Sequence, residues 1–267
     1  LTNDHVVSNG GSGSITVSLA DGRLYEATLL GTDPTTDIAV ISLLDAPGDL
    51  VAAELGDSES VDVGQAVMAV GNPLGLDTTV TTGIVSAVDR PVSTWDAGSG
   101  AAVVTNAIQI DAAVNPGNSG GPLFDAAGRV IGITSAIATV SGSTSGSIGL
   151  GFAIPVNQVQ LVADQLVSTG TVEHAFLGVS LADGTATAAG TTRRGAVIRS
   201  VTSGTPAATD LQPGDVVVGI DGSAVGGAES LTGYVRQHAG GDEVVLTIVR
   251  SGAVLDVTLT LATAPPA

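Results

Sequence analysis

The apolar residues of this chain come in short runs, and nearly every run is closed by Gly, Asp, Asn or Ser. Ile15-Thr16-Val17-Ser18-Leu19 alternates apolar and polar residues, turns at Asp21-Gly22 and returns through Tyr25 to Leu30. Ile38 to Ile41, Ala66 to Val70, Val80 to Val88, Val103 to Ala113, Arg129 to Ser135 and Gly151 to Ile154 repeat the pattern. β-Branched residues in period-two runs between turn formers specify strands. A chain written this way folds as a many-stranded β protein. Aromatic residues are 2% of the total against 43% hydrophobic, so the core is made of Val, Ile, Leu and Ala.

The period changes once in the middle. Val156, Val159, Val162 and Leu166 share one face of a helix that starts near Pro155 and ends before Gly170. Ser168 to Glu173 then reads as a linker, which divides the chain into segments 1–172 and 173–264. A length of 267 residues accommodates two such domains. Within the first segment Val80 to Val88 reads either as a strand pair or as one long strand with Gly83 as a bulge, and Gly31 to Thr36 is expected to form a turn. Ser93 to Gly100, with Trp95, and Ser141 to Ser147 read as surface loops.

Charge and composition remove several classes of function. The net charge is −18, and all eight basic residues are arginine. With no basic patch to neutralise phosphates, nucleic acid is not an expected partner. The chain has no cysteine and three scattered histidines, which leaves no disulfide framework, thiol nucleophile or metal site. No metal or cofactor is expected. No apolar run approaches the roughly 18 residues of a membrane span.

The chemistry-bearing stretch is Asp111-Ala112-Ala113-Val114-Asn115-Pro116-Gly117-Asn118-Ser119-Gly120-Gly121-Pro122-Leu123. Gly and Asn permit positive φ and close backbone approach. A serine held there exposes its hydroxyl beside converging N–H groups, the geometry of acyl transfer. Such a serine needs a base, and the base needs a carboxylate to fix its tautomer. His5 is the one histidine of the first segment and is read at the end of an apolar strand. Asp37 follows a turn and opens a buried strand. Asp4 and Asp33 are rival carboxylates; Asp4 points away from His5 if the strand geometry holds, and Asp33 lies in a turn. The chain order His5, Asp37, Ser119 is that of chymotrypsin-type enzymes.

Five segments together resemble the HtrA/Deg family of chymotrypsin-like serine proteases. Thr2-Asn3-Asp4-His5-Val6 is similar to its histidine motif, and Asp33-Pro34-Thr35-Thr36-Asp37-Ile38-Ala39-Val40-Ile41 to its aspartate motif. Gln109 to Leu123 is similar to its serine motif almost residue for residue. Gly71-Asn72-Pro73-Leu74-Gly75 and Gly149 to Pro155 match further family segments. The resemblance implies a mostly β fold: a chymotrypsin-like double β-barrel followed by a PDZ domain. It implies a bacterial serine endopeptidase in which His5 is the general base, Asp37 orients it and Ser119 attacks. Gly117 and Ser119 N–H groups would form the oxyanion hole. Thr134, Ser135 and Ala136 would pair with the substrate backbone. Val114, Ile133 and Ile154 would give an aliphatic pocket and cleavage after Val, Ile or Ala.

The second segment resembles a PDZ domain. Phe176, Leu177 and Gly178 would capture a C-terminal carboxylate, and Val179, Leu231 and Val235 would line a side-chain pocket. For Phe176 and Leu231 ordinary core packing is the competing reading. His174 and His238 read as surface residues. The family further implies ATP-independent quality control of misfolded or exported proteins, an extracytoplasmic location and a homotrimer or larger assembly. A peptide-binding chaperone or scaffold with little proteolysis is the alternative. The chain enters directly at Leu1-Thr2-Asn3, so it is read as lacking upstream strands. The first barrel is then expected to be incomplete and the piece to fold poorly alone.

Overall fold

In the computed structural model, which describes residues 1–8, 14–72, 78–95, 102–135 and 147–265, the short runs become short antiparallel strands. Contacts divide the chain into two compact units, Leu1–Val172 and Glu173–Ala267.

The first unit opens with a helical turn, α1 (Asp4–Ser8). β1 (Ile15–Ser18), β2 (Leu24–Asp33) and β3 (Ile38–Leu43) then form an open sheet in the order β1-β2-β3. β2 runs through the expected turn as far as Asp33, shifting register between Leu29 and Gly31. Gly31 sits so close to Leu166 and the Gly170 carbonyl that a Cβ there would lie 2.9 Å from both. The residue belongs to a packed strand and not to a solvent turn.

The second sheet closes into a barrel in the order β4-β5-β6-β9-β8-β7. Its strands are β4 (Ala66–Gly71), β5 (Thr79–Trp95), β6 (Ala102–Ile110), β7 (Pro122–Asp125), β8 (Val130–Ser135) and β9 (Gly151–Pro155). β5 is longer than the sequence suggests and takes in Ser93 to Trp95. Its register shifts fall at Val85/Ala87 and Ala87/Arg90. Gly83 is therefore no bulge: it pairs regularly with Val67. Its missing side chain leaves room for the Asp111 carboxylate and the Ala112 backbone. The remainder of the loop around Trp95, and residues 141–146 of the Ser/Gly segment, lie outside the described residues.

α2 (Val156–Thr169) follows β9 and ends on Gly170 in the left-handed conformation, with φ 76°. Its first turn is capped from a distance, because Asn157 N–H donates to Ser58 Oγ at 3.1 Å. Two apolar clusters fill the unit. Val67, Val85, Ile108, Ile110, Val114 and Leu123 pack inside the barrel. Ile38, Val40, Ile133 and Ile154 pack with Val159, Val162 and Leu166 of α2.

The second unit is built on the sheet β11-β12-β13-β15-β16, with β14 attached to β13. The strands are β10 (Ala175–Phe176), β11 (Val179–Ala188), β12 (Thr191–Val201), β13 (Val216–Ile220), β14 (Ser223–Ala224), β15 (Glu243–Arg250), β16 (Ala253–Thr260) and β17 (Ala262–Thr263). α3 (Ala207–Asp210) and α4 (Ala228–Val235) pack on it, and β10 pairs with β17. The hairpin turn between β15 and β16 puts Ser251 and Gly252 at φ 51° and 82°, the double positive φ of a tight hairpin. Buried Asp215 anchors this unit: its two carboxylate oxygens take Arg250 Nε and a terminal guanidinium nitrogen, each at 2.7 Å.

Candidate active site

His5 lies in the helical turn α1, not at a strand end. The strand-like part of the segment is Thr2, whose N–H and carbonyl bond to Ala39 at 3.0 and 2.8 Å. That bridge brings residues 3–5 beside the start of β3. Asp37 takes a left-handed backbone conformation there, with φ 59°, which costs a non-glycine residue of the order of 1 kcal/mol. Three groups hold it. Asn3 Nδ2 donates to the Asp37 carbonyl at 2.8 Å. Asp4 N–H reaches the same oxygen at 3.2 Å. His5 N–H donates to Asp37 Oδ1 at 3.1 Å.

So fixed, the Asp37 carboxylate faces the imidazole. His5 Nδ1 is 2.9 Å from both of its oxygens. A carboxylate is acceptor-only, so Nδ1 carries the proton and Nε2 is left as the basic nitrogen. Ser135 Oγ donates to Asp37 Oδ2 at 3.0 Å from the barrel side. The hydrogen bond that His5 donates to Asp37 raises the His5 pKa; partial burial opposes the rise, and the charges of Asp37 and Asp4 add to it.

The rival carboxylates are engaged elsewhere. Asp33 ties its own turn, accepting from Thr36 Oγ1 at 2.5 Å and Thr35 N–H at 3.2 Å. Asp4 is buried and accepts from Ser8 Oγ at 2.8 Å, four residues along the same helical turn.

The serine turn is stitched into the barrel on both sides of Ser119. Gly117 and Gly120 have φ of 100° and 81°. Asn118 N–H bonds to Asn115 O and Gly121 N–H to Asn118 O, both at 3.0 Å. Gly120 N–H donates to Thr134 O and Thr134 N–H returns to Gly121 O, both at 2.8 Å. Thr134 Oγ1 adds bonds to the carbonyls of Asn118 and Gly121 at 2.5 and 3.0 Å. The two halves of the site meet at Gly120: a Cβ there would collide with Thr2 Oγ1 and stand 3.1 Å from Asn3 N. The residue after Ser119 thus packs on the segment that carries His5.

In the second unit, Gly178 has φ 79° and its carbonyl accepts from Thr202 N–H at 2.7 Å. Phe176 pairs with Ala262. Leu177 is buried beside Leu231, Tyr234 and Val235, and Val179 packs against the same cluster. Asp183 on β11 accepts from Ala228 N–H at 2.8 Å, which fixes the start of α4 against that strand.

Comparison with known proteins fits both units. A model of the trypsin-like peptidase domain matches residues 1–133, and one of the PDZ domain matches residues 175–261. The solved structure of the HtrA-type protease AlgW with a tripeptide is 36% identical, with a TM-score of 0.69, and the match covers 100% of this chain and 86% of that one. The chain belongs to the HtrA family of trypsin-like serine proteases. Among curated relatives, serine protease PepD of Mycobacterium tuberculosis is 46% identical over 87% of this chain and 50% of its own length. A probable periplasmic serine endoprotease DegP-like of Brucella suis is 41% identical over 99% of this chain and 50% of its own length. The chain thus spans about half the length of these relatives.

Within this HtrA-type frame several expected contacts change. The Thr134 N–H and carbonyl are both bonded to the serine turn. Ser135 is buried, paired to Phe152 of β9, and spends its hydroxyl on Asp37. Ile133 and Ile154 face each other in the layer under α2, whereas Val114 is in the barrel interior; the three do not form one wall. Leu231 is 0% exposed, so it supports the second unit from within its core. Ala136 lies outside the described residues, as do Pro73, Leu74 and Gly75. The sequence reading missed Asn3 and the Ser135–Asp37 bond. The only local sign of the first was an asparagine two residues before the histidine.

Proposed function

We propose that the chain is an ATP-independent serine endopeptidase in which Ser119 is the nucleophile, His5 the general base and Asp37 its orienting carboxylate. The observation that carries this reading is the His5–Asp37 pair, set beside a serine turn that packs on the histidine segment through Gly120. His5 Nε2 takes the Ser119 proton as Oγ attacks the scissile carbonyl, and later delivers it to the leaving amine. Asp37 holds the tautomer and stabilises the imidazolium. The N–H groups of Gly117 and Ser119 receive the oxyanion, each such donor lowering the barrier by about 3 kcal/mol.

The substrates we infer are misfolded or exported proteins, cleaved after Val, Ile or Ala. Segments 112–123, 130–135 and 151–155 contain no ionisable side chain, which supports an apolar specificity pocket, with Val114 as a wall. The second unit captures exposed C-termini by strand addition along β11, with Phe176, Leu177 and Gly178 as carboxylate donors and Val179 and Val235 against the last side chain. The peptides named in the AlgW structures support that mode. Relatives named periplasmic support an extracytoplasmic location, and the family points to a trimer or larger assembly.

Digestion of unfolded casein tests the reading. The protein should cleave it, leaving Val, Ile or Ala at the new C-termini, and Ser119→Ala should stop cleavage. Unchanged digestion by that variant removes Ser119 from the mechanism. New C-termini dominated by Lys or Arg overturn the specificity.

A further inference from the structure

The hairpin β11–β12 extends past the sheet that carries it. β12 pairs with β13 only at Ala196 and Val197. Beyond Gly195 the two strands continue alone through Thr185↔Arg194, Ala186↔Arg193, Thr187↔Thr192 and Ala188↔Thr191. The tip turns at Ala189 and Gly190, with φ of 48° and 75°.

This ribbon has an unusual charge for the chain. Residues 1–172 carry 17 acidic and 3 basic side chains, net −14, and residues 173–267 carry 9 and 5, net −4. The ribbon, 184–195, holds Arg193 and Arg194 and no acidic residue. Both arginines are exposed and neither makes an ion pair among the described residues. The nearest carboxylate on β11, Asp183, is committed to the start of α4.

β11 is also the terminal strand of the sheet, and among the described residues no strand pairs with its outer edge. We infer that the ribbon is an extended subsite which selects peptides carrying Asp or Glu upstream of their C-terminal residues. This rests on the proposed capture of C-termini along β11. A carboxylate held at Gly178 starts the peptide beside Val179, antiparallel to β11. Counting one peptide residue per strand residue, the segment about five to nine places upstream lies beside Gly184–Ala188. α4 meets β11 at its first residue, Ala228, whose N–H is held by Asp183, just before this stretch.

On β12 the arginines stand opposite Thr185 and Ala186, small residues over which a guanidinium can lean towards the edge. Neighbouring residues of a strand point to opposite faces. Arg193 therefore serves one face of the added strand and Arg194 the other, so an acidic residue at successive upstream positions finds a partner either way. The pairs are exposed, so their contribution is modest and sensitive to salt.

Fluorescence anisotropy with the full chain tests this. Three labelled ten-residue peptides share the same last four residues, ending in Val. One has Glu at the upstream positions, one has Gln, and one repeats the Glu sequence with an amidated C-terminus. At low salt the Glu peptide should bind about threefold to tenfold more tightly than the Gln peptide. That ratio should shrink as salt rises and approach one in Arg193→Ala/Arg194→Ala. Equal affinity of the two on the unmodified protein overturns the inference, as does a ratio that survives the double substitution. Arg193- and Arg194-dependent sedimentation with phosphatidylglycerol vesicles, without peptide discrimination, would reassign the ribbon to a lipid surface and overturn it too. Failure of the parent reading looks different: the amidated peptide then binds as well as the free acid, or no peptide binds, and the subsite falls with it.

Discussion

At the scale of single residues, the site depends on Asp37 being kept in a conformation it does not prefer. Its φ of 59° is left-handed, and Asn3 Nδ2 clamps its carbonyl from a fully buried position. Asn3→Ala removes that donor and leaves the carbonyl with Asp4 N–H alone. We expect a loss of about 1–3 kcal/mol in a denaturant melt, and a fall in kcat larger than any rise in KM. Unchanged kcat would mean that Asn3 does not position Asp37. The raised pKa of His5, caused first by its hydrogen bond to Asp37, sets the pH behaviour. The base must be neutral, so kcat/KM should rise with pH through a value above the ordinary histidine pKa of about 6.5. For stability the sign is opposite. A pKa raised by folding stabilises the native state fully below the unfolded value, and this contribution is lost as pH rises through the folded one. In Asp37→Asn the limb should move down in pH and kcat should fall by about 10⁴. His5, Asp37 and Ser119 could be read as candidates because each stands in a local motif with its own turn chemistry. The bonds that Asn3 and Ser135 make to Asp37 could not be read in this way, since they span 34 and 98 residues.

At the scale of elements, the serine turn is a joint between strands as much as a loop. Gly121 lies against the Val70 carbonyl so closely that a Cβ would overlap it. Gly121→Ala must push β4 and the turn apart, which displaces the N–H groups around Ser119. Cleavage of a peptide substrate should drop by at least about tenfold, as expected for a displacement of the order of 1 Å at the chemistry; activity within twofold of the unmodified protein would show the joint to be slack. The strands themselves were legible from alternation and turn residues, and α2 from its apolar face and its Gly170 stop. What alternation could not give was register and extent. Gly83 looks like a bulge in sequence, yet its lack of a side chain serves the approach of Asp111, while the actual shifts lie at unremarkable Val85, Ala87 and Arg90. α1 was hidden for a similar reason: a short apolar run beside a histidine reads as strand, and only the bridge from Thr2 to Ala39 ends the strand before Asp4.

At the scale of the whole molecule, the two units have separate apolar clusters, one set drawn from residues 38–172 and the other from 175–261. Leu166→Ala opens a cavity under α2 and should cost about 2–5 kcal/mol. Calorimetry should show that loss in the transition of the first unit and leave the transition of the second in place; an equal shift of both would mean that the units melt as one. The charge is divided unevenly between the two units, and the acidic first unit is where the proposed chemistry lies. That chemistry rests on one serine made nucleophilic by one histidine. The most direct measurement is reaction with a fluorophosphonate, followed by mass spectrometry of the intact protein and of its peptides. A single adduct is expected, on Ser119, formed far more slowly in His5→Ala and not at all in Ser119→Ala. An adduct on another residue, or an undiminished rate in His5→Ala, would contradict it.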